Sequence, residues 1–498
     1  MYFIGYDIGS SSIKAALINA DDGKALSVVQ QPTTEMAIHA EQDGWAEQDP
    51  EVWWQHVCTA TRKLLHDHPD IETDLIKGIG IAYQMHGLVL VDKDGNVIRP
   101  SIIWCDSRAV DLGRTAFQRI GANRCLEHLL NSPGNFTASK LRWVRENEPD
   151  NYERIHKIML PGDYIAFKFS GDYNTTISGL SEGILWDFKK KQVADLVLDH
   201  YQIARSLIPD IVSSVCVQSK VSTWGAKATG LAVGTTIGYR AGDQPNNAVA
   251  LKALYPGEVA ATGGTSGVVY GVVGEPIFDP KSRVNGFAHV PYTENNPNIG
   301  ILLCINGAGI MYAWMRNQLA GQEVSYEQLE EAASQVAVGS EGLTIFPFGN
   351  GAERMFENQN LGAQIQNLQL NRHDRNHLVR AALEGIAFSF VYGMDILKEI
   401  GMDINIIRVG NDNLFQSDIF SQTISNLTGS RIEIAQTTGA IGAALAAGAG
   451  VGYYASLEDA LQHLDIIRQV EPEQSSAFTS AYGIWKAQLK QLLDSKSL

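Results

Sequence analysis

No Cys-x-x-Cys pair, no basic cluster, no Ser/Pro-rich linker and no low-complexity tract occurs in this 498-residue chain. Each absence removes a class of function. The five cysteines (Cys58, Cys105, Cys125, Cys216 and Cys304) stand singly, which argues against a disulfide framework and against structural zinc, and suits a reducing, cytoplasmic compartment. The 39 Lys+Arg residues against 55 Asp+Glu leave a formal charge of −16 spread along the chain, a balance that repels phosphate backbones and anionic lipid headgroups. Neither nucleic acid nor a membrane is therefore an expected partner. The N-terminus, Met1-Tyr2-Phe3-Ile4-Gly5-Tyr6-Asp7, lacks a basic segment and a long apolar run, so it reads as a strand and not as a signal peptide. One uncharged stretch, between Glu433 and Glu458, exceeds the roughly 20 residues needed to cross a bilayer. Its centre, 437–452, is mostly Gly and Ala, which gives little transfer energy and predicts instead a helix packed closely on other backbone in a core.

The length and the 45% apolar content predict several domains of roughly 100–200 residues each. Residues 2–6 form a β-rich run, Asp7-Ile8-Gly9-Ser10-Ser11-Ser12 is a turn cluster, and 13–18 is apolar again, which predicts a hairpin with a polar tip. Half a chain later the pattern recurs: 259–261, then Thr262-Gly263-Gly264-Thr265-Ser266-Gly267, then the β-branched run 268–272. The recurrence of Gly-Ser/Thr-Ser predicts two related domains, 1–247 and 248–498, each opening with such a hairpin. Strands are expected at 76–83, 98–104 and 406–409, and amphipathic helices at 50–66, 372–400 and 417–427. The fold class is therefore α/β, with the two halves around one cleft.

Gly- and hydroxyl-rich tips let backbone N–H groups and side-chain hydroxyls converge on phosphate oxygens, so two facing tips could cradle one polyphosphate. Asp7, at the end of the first strand, is placed to hold Mg²⁺ through waters, because that ion keeps most of its hydration and takes only one or two carboxylates. Asp-x-Gly alone is ordinary turn chemistry; the second tip is what favours phosphate. The run Gly242-Asp243-Gln244 at the mid-chain boundary sets a carboxylate facing the cleft, able to orient an attacking hydroxyl and accept its proton, or simply to cap a helix. Gln84-Met85-His86-Gly87 follows a buried strand, and His86 there is either structural or a contact to a polyhydroxylated ligand. Asp106 and Arg108, two apart at an expected strand end, read as a supporting ion pair.

Taken in order, Asp7-Ile8-Gly9-Ser10-Ser11-Ser12-Ile13-Lys14, Trp45-Ala46-Glu47-Gln48-Asp49-Pro50 with Trp53-Trp54, Gln84-Met85-His86-Gly87, Trp104-Cys105-Asp106-Ser107-Arg108, Gly242-Asp243-Gln244 and Thr262-Gly263-Gly264-Thr265-Ser266-Gly267 resemble the FGGY carbohydrate kinases, most of all their xylulokinase branch. The resemblance covers nearly the whole chain. It implies an actin-like ATPase fold of two ribonuclease-H-like domains, with ATP and sugar in the cleft between them, and a homodimer as a reasonable expectation. It also implies Asp243 as catalytic base, Met85, His86, Asp243 and Gln244 around the sugar, and Asp7 beside the magnesium-phosphate. Ser11, Ser12, Gly264, Thr265 and Ser266 would then meet the phosphates, and Gly410 and Asn413 the adenine side. The implied reaction is ATP- and Mg²⁺-dependent phosphorylation of the terminal hydroxyl of an open-chain ketose, D-xylulose first.

Three departures stand out. Gln244 replaces the usual Asn, as in glycerol kinases, which leaves glycerol or another polyol as an alternative acceptor. Gly410-Asn411-Asp412-Asn413-Leu414 keeps one glycine where relatives carry several, so Asp412 and Asn413 are expected to narrow the adenine pocket, and a sugar sensor without nucleotide is the alternative of another class. Glu353-Arg354-Met355 stands where Glu-Arg-Thr-Pro is usual.

Overall fold

The structure, a computed structural model, describes residues 1–321 and 323–496. Its frame is two mixed sheets. The first runs β5–β6–β4–β1–β2–β3, formed by β1 (Tyr2–Ile8), β2 (Ile13–Asn19), β3 (Ala25–Gln31), β4 (Ile76–Tyr83), β5 (Val215–Lys220) and β6 (Thr236–Gly242). The second runs β9–β10–β8–β7–β11–β12–β13, formed by β7 (Glu258–Gly263), β8 (Gly267–Val273), β9 (Asn285–Ala288), β10 (Ile299–Ile305), β11 (Ile406–Gly410), β12 (Arg431–Ala435) and β13 (Ile466–Val470).

The two sheets share one plan. In the first, β1 pairs antiparallel with β2 and β2 with β3, while β4 and β6 add in parallel on the other side of β1. In the second, β7 pairs antiparallel with β8 and β8 with β10, while β11 and β12 add in parallel beyond β7. An antiparallel strand closes the far side of each parallel run, β5 on β6 and β13 on β12. The registers place the tips alike: Ile8 opposes Ile13 around Gly9–Ser12, and Gly263 opposes Gly267 around residues 264–266. This is the actin-like arrangement that the resemblance implies.

Helices fill the crossovers. α1 (Pro50–Asp67) starts at Asp49, whose carboxylate accepts from the Glu51 N–H, with Pro50 in the first turn, where its missing N–H costs nothing. Its inner face buries Trp53, Trp54, Val57, Ala60 and Leu64. Downstream come α2 (Thr137–Asn147), α3 (Ile177–Glu182), α4 (Asp243–Ala250), α5 (Gly309–Met315), α6 (Arg375–Glu399), α7 (Asp418–Thr428) and α8 (Gly439–Gly450).

The Gly/Ala stretch forms α8 and joins the two halves. Although it follows β12 of the second sheet, it lies across β1, β4 and β6 of the first. The approach is backbone to backbone: a Cβ on Gly5 would come within 1.9 Å of the Ala440 carbonyl oxygen, and one on Gly80 within 1.9 Å of that of Ala443. Among the described residues no helix is long and apolar enough to cross a membrane.

Two local expectations are corrected. Of 98–104 only Ser101–Ile102 is strand, paired with Glu47–Gln48; Pro100 removes a ladder donor, and the flanking residues make single backbone bonds to different neighbours, Ile98 N–H to the Leu90 carbonyl (2.9 Å) and Ile103 N–H to that of Ala46 (3.1 Å), so no continuous ladder forms. Residues 104–108 form turns, so Asp106 and Arg108 meet through a bend and not along a strand face.

Candidate active site

The first tip is held from outside. Gly9 N–H donates to the Ser12 carbonyl (3.1 Å) and closes the turn. Gln48 Nε2 donates to the Ser10 carbonyl (2.7 Å) while its Oε1 accepts from the Trp53 indole (3.1 Å), so the start of α1 fixes the tip. Trp104 Nε1 reaches Ser10 Oγ (3.3 Å). The hydroxyls of Ser11 and Ser12 make no hydrogen bond among the described residues and stay free for a ligand.

Asp7 lies half-buried between this tip and the N-terminus of α8. A Cβ on Gly439 would sit 2.7 Å from its carboxylate, so only glycine leaves that side open. Asn246 Nδ2 of α4 donates to the Gly439 carbonyl (3.0 Å) and ties α8 to the helix that begins with Asp243. Burial pushes the Asp7 carboxyl above its ordinary value, with Lys14 opposing. Its oxygens accept no hydrogen bond among the described residues, and it is electrostatically coupled to Asp243. An unpartnered carboxylate of this kind suits Mg²⁺, and because no cluster of three or more His, Cys, Asp or Glu is present among the described residues, the remaining ligands would be water and phosphate.

Asp243 is the first residue of α4, one past the end of β6; Gly242 takes the cap position, so the capping role does not fall to Asp243. Its carboxyl is pushed up to about 7, first by burial and then by the negative charge of Asp7, with backbone and side-chain N–H groups of Gln244 pulling the other way. Gln244 Oε1 is buried without a partner, an orphan acceptor beside the carboxylate. Gly242 is pressed by its surroundings: a Cβ there would lie 2.8 Å from Met85 Cγ and 2.9 Å from Glu182 Oε1. Met85 and Asp243 are thus brought to one place.

His86 follows with φ of 44°, a left-handed turn that a non-glycine residue adopts only when its surroundings hold it. Those surroundings were not legible in the sequence. Glu182, fully buried at the end of α3, accepts from the His86 N–H (3.0 Å) and from Tyr83 Oη (2.7 Å). Lys140, fully buried on α2, donates to the carbonyls of Ile103 (2.8 Å) and His86 (3.2 Å) and lies 3.5 Å from His86 Nδ1. Burial pushes Lys140 down to about 7 and holds His86 well below the ordinary imidazole value, the latter helped by the Lys140 charge. Phe136 packs edge-on against the ring.

The Asp106–Arg108 pair is structural. Asp106 accepts from the Ala46 N–H (2.6 Å) and from Arg108 Nη2 (2.7 Å), while the Arg108 guanidinium stacks on Trp45 at 3.7 Å and meets Glu47 at 2.6 Å. This explains why the Trp45–Glu47 and Trp104–Arg108 segments come together behind the first tip.

On the second sheet the tip at 264–266 abuts α5: Gly309 and Ile310 N–H groups donate to the carbonyls of Gly264 (3.0 Å) and Thr265 (3.1 Å). Thr265 and Ser266 are exposed. Asn413 takes a left-handed φ of 52° and its amide comes within 3.9 Å of a Cβ placed on Gly264. The Asp412 side chain curls back to 3.4 Å from a Cβ built on Gly410, and Lys14 of the first hairpin is its opposing charge. The Asp412 side chain thus folds over its own loop. Glu353 accepts from the N–H groups of Asn306 (3.0 Å) and Gly307 (2.8 Å), and Arg354 binds the Ser282 carbonyl (2.8 Å), so this motif braces β10.

Comparisons with known proteins show the family. The sequence model of the FGGY family of carbohydrate kinases matches with its N-terminal domain over residues 2–250 and with its C-terminal domain over 259–451. The chain belongs to this family. It is 29% identical to a xylulose kinase of Bacillus subtilis (strain 168), covering 92% of this chain and 90% of that one, and 28% identical to a xylulose kinase of Escherichia coli (strain K12), covering 95% and 94%. Among solved structures it superimposes on xylulose kinase from Rhodospirillum rubrum with a TM-score of 0.89 at 23% identity, over 99% of both chains. Plasmodium falciparum glycerol kinase with ADP gives 0.88 at 18%, over 99% of this chain and 98% of that one. As a member of the family the protein is a carbohydrate kinase, with ATP and a small sugar as its substrates.

Proposed function

We propose that this kinase transfers the γ-phosphoryl group of ATP to the terminal hydroxyl of an open-chain ketose, D-xylulose, giving D-xylulose 5-phosphate. The observation that carries the reading is Asp243: a carboxylate at the start of α4, directly after the Gly242 that packs on Met85, raised to about 7 by burial and by the charge of Asp7. A base of that strength accepts the hydroxyl proton late in a loose transition state, and its position orients the nucleophile throughout. Met85 and His86 line the sugar, and Gln244 offers its orphan Oε1 to a sugar hydroxyl. The hydroxyls of Ser11, Ser12, Thr265 and Ser266 and the Gly264 backbone hold the phosphates, with Gly410 and Asn413 on the adenine side. Asp7 would hold Mg²⁺, whose chemistry when bound would be to neutralise charge on the phosphoryl oxygens.

The unpaired state of all five cysteines accords with our reading of a cytoplasmic enzyme. Gln244 favours a second acceptor, glycerol or a related polyol, because an amide one methylene longer than Asn moves its hydrogen bond by about 1 Å. ADP release with D-xylulose, L-xylulose, D-ribulose, D-fructose and glycerol decides between them: the account expects the highest kcat/KM with D-xylulose, and a preference for glycerol overturns the ketose assignment.

A further inference from the structure

His86 is gripped at three points by residues far from it in sequence, and the grip reaches both its backbone and its ring. Its N–H donates to Glu182 Oε2 (3.0 Å). Its carbonyl accepts from Thr137 Oγ1 (3.0 Å) and from Lys140 Nζ (3.2 Å), which stand three apart on α2 and so share a face. The same lysine side chain lies 3.5 Å from His86 Nδ1 and donates to the Ile103 carbonyl at 2.8 Å, so as an ammonium it has an acceptor for each of its three N–H groups when Nδ1 carries no proton. All three gripping residues are buried: Glu182 and Lys140 fully, Thr137 with 2% of its surface exposed. Nε2, by contrast, makes no hydrogen bond among the described residues, and the ring is half-buried.

We propose that Glu182, Thr137 and Lys140 are positioning residues that lock His86 in its left-handed turn and in one tautomer, with Nδ1 as acceptor and Nε2–H as the donor offered to an oxygen of the ketose. A nitrogen that accepts a hydrogen bond cannot carry the ring proton of a neutral imidazole, so the Lys140 contact fixes the proton on the other nitrogen. The ring stays neutral because burial and, below about pH 7 where Lys140 is an ammonium, the adjacent positive charge oppose its protonation. The backbone part of the grip sets where that donor points. Glu182 binds the N–H end of the His86 peptide while α2 binds the carbonyl end, so a turn that relaxes readily when exposed is held from both sides. A neutral donor of fixed direction distinguishes a carbonyl or hydroxyl oxygen at one position of the sugar from the same group displaced by one carbon.

The inference rests on the reading of His86 as a sugar contact, and the test separates the two. Nitrogen-15 spectra of the wild-type protein at pH 6.5 are expected to show His86 as the Nε2–H tautomer; an Nδ1–H tautomer overturns the proposal without any variant. Lys140→Met is expected to give mixed tautomers and to raise KM for the ketose about tenfold while KM for ATP stays within about twofold, the signature of a displaced sugar contact. Thr137→Val, close to isosteric, is expected to raise the ketose KM several-fold in the same selective way, and it carries the test if Lys140→Met does not fold. His86→Asn calibrates both. If it raises the ketose KM and the Lys140 and Thr137 variants do not, the lock is overturned and the sugar site stands; if His86→Asn leaves that KM unchanged, both fall.

Discussion

Asp243 concentrates the consequences of the site in one side chain. Its carboxyl must be ionised to accept a proton, and burial and Asp7 raise it to about 7, so kcat/KM for the ketose at subsaturating ATP is expected to fall below about pH 7 and to level off above it. A limb near pH 4, the range of an unperturbed carboxylate at about 3.9, would contradict that environment. The same shift has a stability counterpart. The folded state binds this proton more tightly than the unfolded chain does, so the contribution is full below about pH 4 and is lost as pH rises through about 7. Asn cannot ionise, and Asp243→Asn is therefore expected to melt at a higher temperature than wild type at pH 8, with the difference shrinking towards pH 5. Equal melting temperatures throughout would show that the carboxylate is not strained in the fold. Asp243 and His86 were legible in the sequence because each sits in a short polar turn after an apolar run. Lys140 and Glu182 were not: Lys140 lies in Ser139-Lys140-Leu141-Arg142, which reads as an ordinary helix surface, and only the tertiary structure turns it inward.

At the scale of elements, the two hairpins and α8 carry the site. The hairpins were readable because β-rich runs flank Gly/Ser tips, a local signal that needs no partner. The helix of small residues was readable because Gly and Ala allow close approach, though nothing local says which backbone it meets. The structure supplies that: α8 lies on β1, β4 and β6, and its first residue, Gly439, opens the space beside Asp7. Gly80→Ala would press a methyl group into the Ala443 carbonyl and is expected to destabilise the protein by about 1–3 kcal/mol or more in denaturant unfolding. A loss under about 0.5 kcal/mol would mean that α8 does not lie this close to the sheet. The expected strand at 98–104 shortened for the converse reason: apolar composition records burial, and here the backbone bonds of the buried residues go singly to different segments on either side of a proline, not to one ladder.

For the whole molecule, the duplicated sheet plan gives each half its own set of candidate site residues. The first sheet carries Asp7 on β1, Met85 and His86 just past β4 and Asp243 just past β6, the second carries the 264–266 tip and the 410–413 loop, and α8 with the Asn246–Gly439 bond links the two. In the proposed reaction water competes with the sugar as phosphoryl acceptor, so turnover of ATP is expected to depend on the sugar that completes the site. The most direct measurement is ADP and sugar-phosphate formation by the purified protein with ATP, Mg²⁺ and D-xylulose, for wild type and Asp243→Asn side by side. The account predicts equal yields of ADP and D-xylulose 5-phosphate in the wild type, little ADP without sugar, and a loss of at least about a hundredfold in kcat for Asp243→Asn. Sugar-dependent turnover that survives in Asp243→Asn would contradict it.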